Sequence, residues 1–280
     1  MAIKIGTAGV AAAYLGTSAI SRIYRGADLV FESEPAATLL ETLDAANANH
    51  AYLTGISAMS IRDGEFVEQF NDALANPIAR HATRTSTDSQ ISIVDGIPRW
   101  GAATRLDFPL DMMRDVGSMA FMFILKPLVF DTTLKAYVHI SVPGANTVPL
   151  FQLWTATATS PASLIITGHR LAEDTTAQQT SIGSLSLDTP YVVYGAIDYE
   201  NSSAEVRINN VVLFSESFPV TEGRTADLDS NWSRWGNRAS GQGAQAEMPA
   251  MVIWRDNIPT NAEINSVDAA LRAEYSDFFL

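Results

Sequence analysis

The chain has 280 residues, 47% of them hydrophobic and 18% charged, and its 31 acidic and 18 basic side chains leave a net charge of −13. That content supplies a sizeable core for one large β domain or two ordinary ones, while the acidity disfavours binding to nucleic-acid phosphates or anionic membranes. Lack of cysteine excludes disulfides, thiolate metal sites and thiol catalysis, and the longest apolar run, residues 119–125, is far below the roughly 20 residues of a spanning helix.

Near the start, Tyr14-Leu15-Gly16-Thr17-Ser18-Ala19-Ile20 returns ten residues later as Tyr24-Arg25-Gly26-Ala27-Asp28-Leu29-Val30. Each copy reads as a strand end, a small-residue turn in which Gly16 or Gly26 is free to take positive φ, and a new strand. The repeat predicts a meander of short strands with almost no interior, a module that needs a partner to be stable. The alanine-rich start before it is interrupted by Gly6, Gly9 and Gly16, unlike a secretory leader. Glu32-Ser33-Glu34-Pro35 reads as a linker, so the predicted domains are 1–33 and 36–280.

Residues 65–74 have Phe66, Phe70, Ala73 and Leu74 at helical spacing and predict a helical stretch. From residue 91 the chain changes to short runs of β-formers at 91–94, 120–125, 135–142, 148–154, 163–167, 191–199, 204–208, 211–214 and 249–254. So many strands with so little helix predict an all-β sandwich or jelly roll. In residues 137–141 the alternation sets Val138 and Ile140 on a buried face, and Tyr137, His139 and Ser141 on a wet one. Asn209-Asn210 between two strands predicts a tight hairpin. Thr260 and Glu263 form a capping box, and Ile264, Val267, Leu271 and Tyr275 follow as the stripe of a helix that closes the fold.

Several short motifs carry a resemblance. Leu43-Asp44-Ala45, Asp95-Gly96-Ile97-Pro98, Leu106-Asp107-Phe108, the hairpin strand ending in Asn209-Asn210, Trp235-Gly236 and Met251-Val252-Ile253-Trp254 occur in an order similar to that of the concanavalin A-like lectin/laminin-G superfamily. Residues 1–31 resemble the N-terminal segment of phage tail and fibre proteins, with Tyr-x-Gly repeats ending in a Leu-Val-aromatic strand. The two resemblances imply a concanavalin A-like jelly-roll sandwich carried by a virion protein of a tailed phage or phage-derived gene transfer agent. Tyr14, Gly16, Tyr24 and Gly26 are then the candidate attachment residues.

Glycoside hydrolases of this superfamily show closely spaced acids such as Glu-x-Asp-x-x-Glu, and this sequence has no such cluster. Its nearest pairs, Glu173-Asp174, Asp198 with Glu200 and Asp227 with Asp229, read as solvated turn acids, and the expectation is a non-enzyme. The histidines, His50, His81, His139 and His169, have no metal-site spacing, and no Gly-x-Ser-x-Gly elbow occurs. No cofactor is expected; calcium, which the superfamily often binds, has Asp227, Asp229 and Asn231 as its candidate ligands.

The candidate for recognition is residues 231–238, where Trp232, Arg234, Asn237 and Arg238 combine a sugar-stacking ring with planar donors. Trp235 matches a core strand position and Trp232 is the exposed ring; Trp100 and Trp254 read as core, and Trp154 as either. The leading expectation is a virion fibre or spike, attached to other virion proteins through residues 1–33, with several copies associating and the sandwich binding host surface polysaccharide. The alternatives are a structural head or tail component that binds no glycan, and a polysaccharide depolymerase.

Overall fold

The computed structural model describes residues 13–15, 18–20, 22–25, 28–32, 37–57, 59–62, 66–74, 82–83, 91–102, 104–109, 111–130, 135–140, 150–155, 160–170, 177–218, 222–227, 234–236, 243 and 245–280. The chain divides into two compact units, Met1–Thr38 and Leu39–Leu280. In the first, β1 (Ala13–Leu15) and β2 (Ser18–Ile20) form one antiparallel pair, with Tyr14 opposite Ala19. A second pair joins β3 (Arg22–Arg25), which contains Tyr24, to β4 (Asp28–Glu32). Gly16 and Gly26 lie outside the described residues.

The second unit opens with α1 (Leu39–Ala45), followed by β5 (His50–Leu53), β6 (Met59–Arg62), β7 (Phe66–Phe70), β8 (Ala82–Thr83), β9 (Ile91–Val94), β10 (Ile97–Trp100) and β11 (Leu106–Asp107). The long strand β12 (Ser118–Val129) leads to β13 (Lys135–Ile140), β14 (Leu150–Thr155), β15 (Ala162–His169) and β16 (Ala177–Leu185). Then come β17 (Tyr191–Asp198), β18 (Ser203–Ile208), β19 (Val211–Ser217), β20 (Arg234–Trp235), β21 (Gln245–Glu247), β22 (Ala250–Arg255) and α2 (Asn261–Glu274).

These strands form an all-β sandwich. One sheet runs β19-β18-β17-β12-β22-β5, antiparallel throughout. The other contains the run β16-β15-β14-β13-β20-β11-β8-β7, and a branch through β9, β10 and β21 that meets the far end of β12. The apolar run of β12 reflects burial on both sides. Met119, Phe121, Phe123 and Leu125 face the core between the sheets, whereas Ala120, Met122 and Ile124 face the layer containing α1 and α2.

At the centre of the inter-sheet core, the Trp235 ring lies 4.6 Å from Trp100 and stacks against Phe70 and Phe108 at 5.7 and 6.5 Å. Such ring pairs contribute about 0.5–1.5 kcal/mol each beyond their burial. Gly195 lets the sheets close up, because a Cβ there would lie 2.7 Å from Leu153 Cδ1. Trp100, Trp235 and Trp254 are core residues, as the sequence predicts.

The Asn209-Asn210 hairpin has positive φ at both residues, 51° and 62°, as a type I′ turn requires. The capping box of α2 is present, and Ile264, Val267, Leu271 and Tyr275 are buried. Two expectations are corrected. Residues 66–70 of the predicted helical stretch are strand β7, because pairing with β6, β8 and β9 overrides a weak helical pattern. The predicted wet face of β13 is buried: every residue of β13 is buried, and a bulge between Ala136 and Val138 turns Tyr137 into the core. Ser141 lies outside the described residues.

Candidate functional site

The buried second face of β13 belongs to a row of polar side chains. Leu106, Trp235, Val138, Leu153 and Ile166 lie in register across β11, β20, β13, β14 and β15, and all five face the core. Successive strand residues point to opposite sides, so the adjacent residue in each strand, following Leu106, Val138 and Ile166 and preceding Trp235 and Leu153, faces outward. These are Asp107, Arg234, His139, Gln152 and Thr167, again in register. His169 follows two positions after Thr167 on the same face. Trp154 follows two after Gln152, and its Nε1 donates to Thr167 Oγ1 at 2.9 Å.

An outward polar row is ordinary; a buried one is not. Arg234, His139, Gln152, Thr167 and His169 are all buried, and Gln152, 2% exposed, has no hydrogen-bond partner for Nε2. An unpaired buried amide donor costs about 1–3 kcal/mol. Exposure rises at the margins, where the Arg105 and Asp107 side chains are 22% and 15% accessible and Trp154 is half-buried.

Charge concentrates at one end of the row. Arg105 Nε and Arg234 Nε both lie 3.4 Å from Asp107 Oδ1. Burial pushes the Arg234 guanidinium below its ordinary value and repulsion from Arg105 adds to this, while Asp107 pulls it back up. The row thus joins an indole, an amide, imidazoles and an arginine–carboxylate cluster on one face, a set suited to stacking on a ring and hydrogen-bonding its polar substituents.

Of the predicted recognition residues, Arg234 is brought into this row between Asp107 and His139, buried by its own chain. Trp232, Asn237 and Arg238 lie outside the described residues, as do Glu173, Asp174, Asp229, Asn231 and His81. Asp198 and Glu200 are far from a catalytic arrangement. Asp198 accepts from Asn201 N and Nδ2 at 3.0 and 2.7 Å, closing a turn, and Glu200 accepts from Arg224 Nη1 at 3.1 Å. Asp227 pairs with Arg114 at 3.0 Å, and among the described residues no group of three or more His, Asp or Glu is placed to hold a metal ion. His50 is fixed by Asp72 at 2.7 Å in a buried pair. Sequence analysis missed Gln152, Thr167 and Arg105, left Trp154 open and read His139 as wet. Their signal is a polar residue between apolar ones in each strand, as in Phe151-Gln152-Leu153 and Ile166-Thr167-Gly168.

No protein-family model matches the chain, and no curated protein matches it. Solved structures do. Trypanosoma rangeli sialidase in complex with sialic acid superposes with a TM-score of 0.56 and 11% identity, over 91% of this chain and 36% of the sialidase. A GH54 α-L-arabinofuranosidase soaked with a cyclic sulfate inhibitor gives 0.56 at 12% identity, over 85% of this chain and 65% of that one. An arabinofuranosidase complexed with arabinofuranosyl-α-1,2-xylobiose gives 0.55 at 10% identity, over 85% and 65%. The chain therefore spans about a third of the sialidase and under two thirds of the arabinofuranosidases. At these identities the likeness defines the class by fold, a β-sandwich shared with glycosidases and compatible with a lectin-like sandwich. It also corrects the expectation of a non-enzyme, because the matched proteins are glycosidases.

Proposed function

We propose that the sandwich recognises a carbohydrate through the polar row of its second sheet. The observation that carries this reading is the buried, unpartnered Gln152 amide beside the half-buried Trp154 ring. An unpaired donor on this face costs the fold free energy, whereas a hydroxyl-rich ligand supplies the acceptor. The sialidase and arabinofuranosidase likenesses support a sugar as that ligand. Residues 1–33, on their resemblance to phage tail and fibre segments, attach the sandwich to other virion proteins of a tailed phage or gene transfer agent. Host surface polysaccharide is then the target, and several associated copies strengthen a weak single site.

The test is binding of the full chain to a glycan array and to capsulated and capsule-free bacterial cells. Trp154→Ala is expected to weaken binding at least tenfold while leaving the protein folded; unchanged binding overturns the site. A second reading, hydrolysis of the bound glycan, is favoured by the glycosidase likeness. In most glycosidases, though not in sialidases with their tyrosine nucleophile, hydrolysis uses two carboxyl groups about 5–9.5 Å apart. Asp107 supplies one on this face, and Asp229 precedes Arg234 by five residues in the chain. Reducing ends released by the native protein and lost in Asp107→Asn would establish this reading; none released on glycans that bind would end it.

A further inference from the structure

The first sheet ends in an exposed strand. Among the described residues β19 pairs with β18 alone, so the backbone groups that point away from β18 face no further strand. Every residue of β19 but Phe214 is exposed, with Val211, Val212 and Leu213 at 61%, 49% and 37%. Edge strands are commonly blunted by shortness, lysine or proline; β19 has seven residues and contains neither lysine nor proline. A bulge at Leu213 bends it, yet leaves its apolar end in water. Three successive apolar residues at such an edge fit another strand, and the charges beside them specify its chemistry. Beyond Phe214, Ser215 and Glu216 line a cleft of about 180 Å³ with Asp198, Ser203, Glu205 and Ile258. Glu205 is matched by Arg207 and Asp198 holds a turn through Asn201, while Glu216 has no cationic partner among the described residues.

A second copy of this chain complements that edge poorly. Antiparallel pairing of β19 with itself about Phe214 sets the apolar end against the acidic end, and parallel pairing sets Glu216 beside its own copy, between two chains of net charge −13 each. We propose that β19 docks an extended segment of another protein, apolar at one end and carrying lysine or arginine at the other, spaced as Glu216 is from Val211, Val212 and Leu213. The segment adds a strand to the first sheet: main-chain hydrogen bonds supply affinity, and the cation at the acidic cleft fixes register and partner. This edge is on the opposite sheet from the polar row, so the proposal is independent of the carbohydrate reading.

The experiment is titration of the full chain with fluorescent, end-blocked peptides in which alternating valine and threonine continue into alternating lysine and threonine, made in both orders and followed by anisotropy at about 0.15 M salt. Glutamate-for-lysine peptides are the controls. One order of the lysine peptide is expected to bind and to slow amide exchange in β19, with glutamate replacement weakening binding about tenfold or more. Glu216→Lys should reverse the preference between the two peptides, and Val212→Lys should weaken both, each variant keeping the native unfolding transition because these side chains are exposed. No binding of either order at up to about 1 mM peptide, equal affinity for the lysine and glutamate peptides, an unchanged preference in Glu216→Lys, or protection confined to other strands overturns the proposal. Sedimentation of the chain alone tests the other occupant: a dimer that Val212→Lys dissociates overturns the proposal in favour of self-pairing.

Discussion

The two sheets of the sandwich bury their outer faces in opposite ways. On the first sheet, Met122, Val252 and Trp254 pack with Leu43 of α1 and Ile264, Val267 and Leu271 of α2, and the Trp254 indole donates to the Ala46 carbonyl at 3.0 Å. Apolar area leaves water and the buried donor is satisfied. On the second sheet, burial just as complete falls on Arg234, His139, Gln152 and Thr167. Burying apolar surface stabilises by about 25 cal/mol per Å², whereas burying polar groups costs free energy unless every one is paired. The first face is an apolar layer in which the Tyr194 hydroxyl is an unpaired group; the second is a polar row that includes the unpaired Gln152 amide, and that difference in composition locates the candidate site.

The largest effects should come from the core that both faces share. Gly236 has φ of +97°, and a Cβ there would lie 2.0 Å from Trp100 Cδ1. Gly236→Ala combines backbone strain with overpacking and should cost about 3 kcal/mol or more, a fall of roughly 6–12 °C in Tm for a unit of this size. A thermal scan showing a near-native midpoint would mean that the tryptophan cluster is looser than the ring distances indicate. Neighbouring positions on β14 then test the asymmetry directly. Leu153→Ala, on the core side, should lose about 2–5 kcal/mol. Gln152→Leu, one residue away and facing outward, should be neutral or stabilising by up to about 1 kcal/mol, since it removes an unsatisfied donor, yet it should weaken glycan binding about tenfold. Denaturant unfolding and titration of the same two variants decide this. A Gln152→Leu protein that loses stability while its binding is unchanged would make the outer row structural.

Much of the frame is legible in the sequence because its signals are local. Alternation or continuous apolarity marks the longer strands, Asn209-Asn210 marks its turn, and Thr260 with Glu263 marks the start of α2. The site is hardly legible, for a physical reason. Strands β8, β11 and β20 have two residues each, too short for any periodicity, and they bring Thr83, Asp107 and Arg234 into line only through pairing. His139, Gln152 and Thr167 are visible as outward-facing polar residues, but single-strand alternation equates outward with wet. Their burial depends on register across segments distant in sequence. Composition marks the segment 231–238 in the sequence; within it, Arg234 enters the row and Trp235 the core.

The smallest effect tests the helix-covered face, where satisfaction of polar groups should be measurable at the cap of α2. Glu263 Oε2 accepts from Thr260 N at 2.6 Å and Oγ1 at 2.7 Å, while Glu263 N donates to Thr260 Oγ1 at 3.3 Å. These bonds, the backbone one foremost, hold the Glu263 carboxyl below its ordinary value. A carboxylate with a lower pKa in the folded state adds stability above its unfolded pKa of about 4.3 and loses it as pH falls through the folded value. Thr260→Ala should cost about 1 kcal/mol, or roughly 2–4 °C in Tm. Glu263→Gln keeps a capping-box side chain but removes the charge, so it should cost only a few tenths of a kcal/mol at neutral pH. Thermal scans from pH 7 to pH 3 should show the gap between wild type and Glu263→Gln closing below about pH 4. A gap that persists at pH 3 would assign the cap's stability to geometry rather than charge.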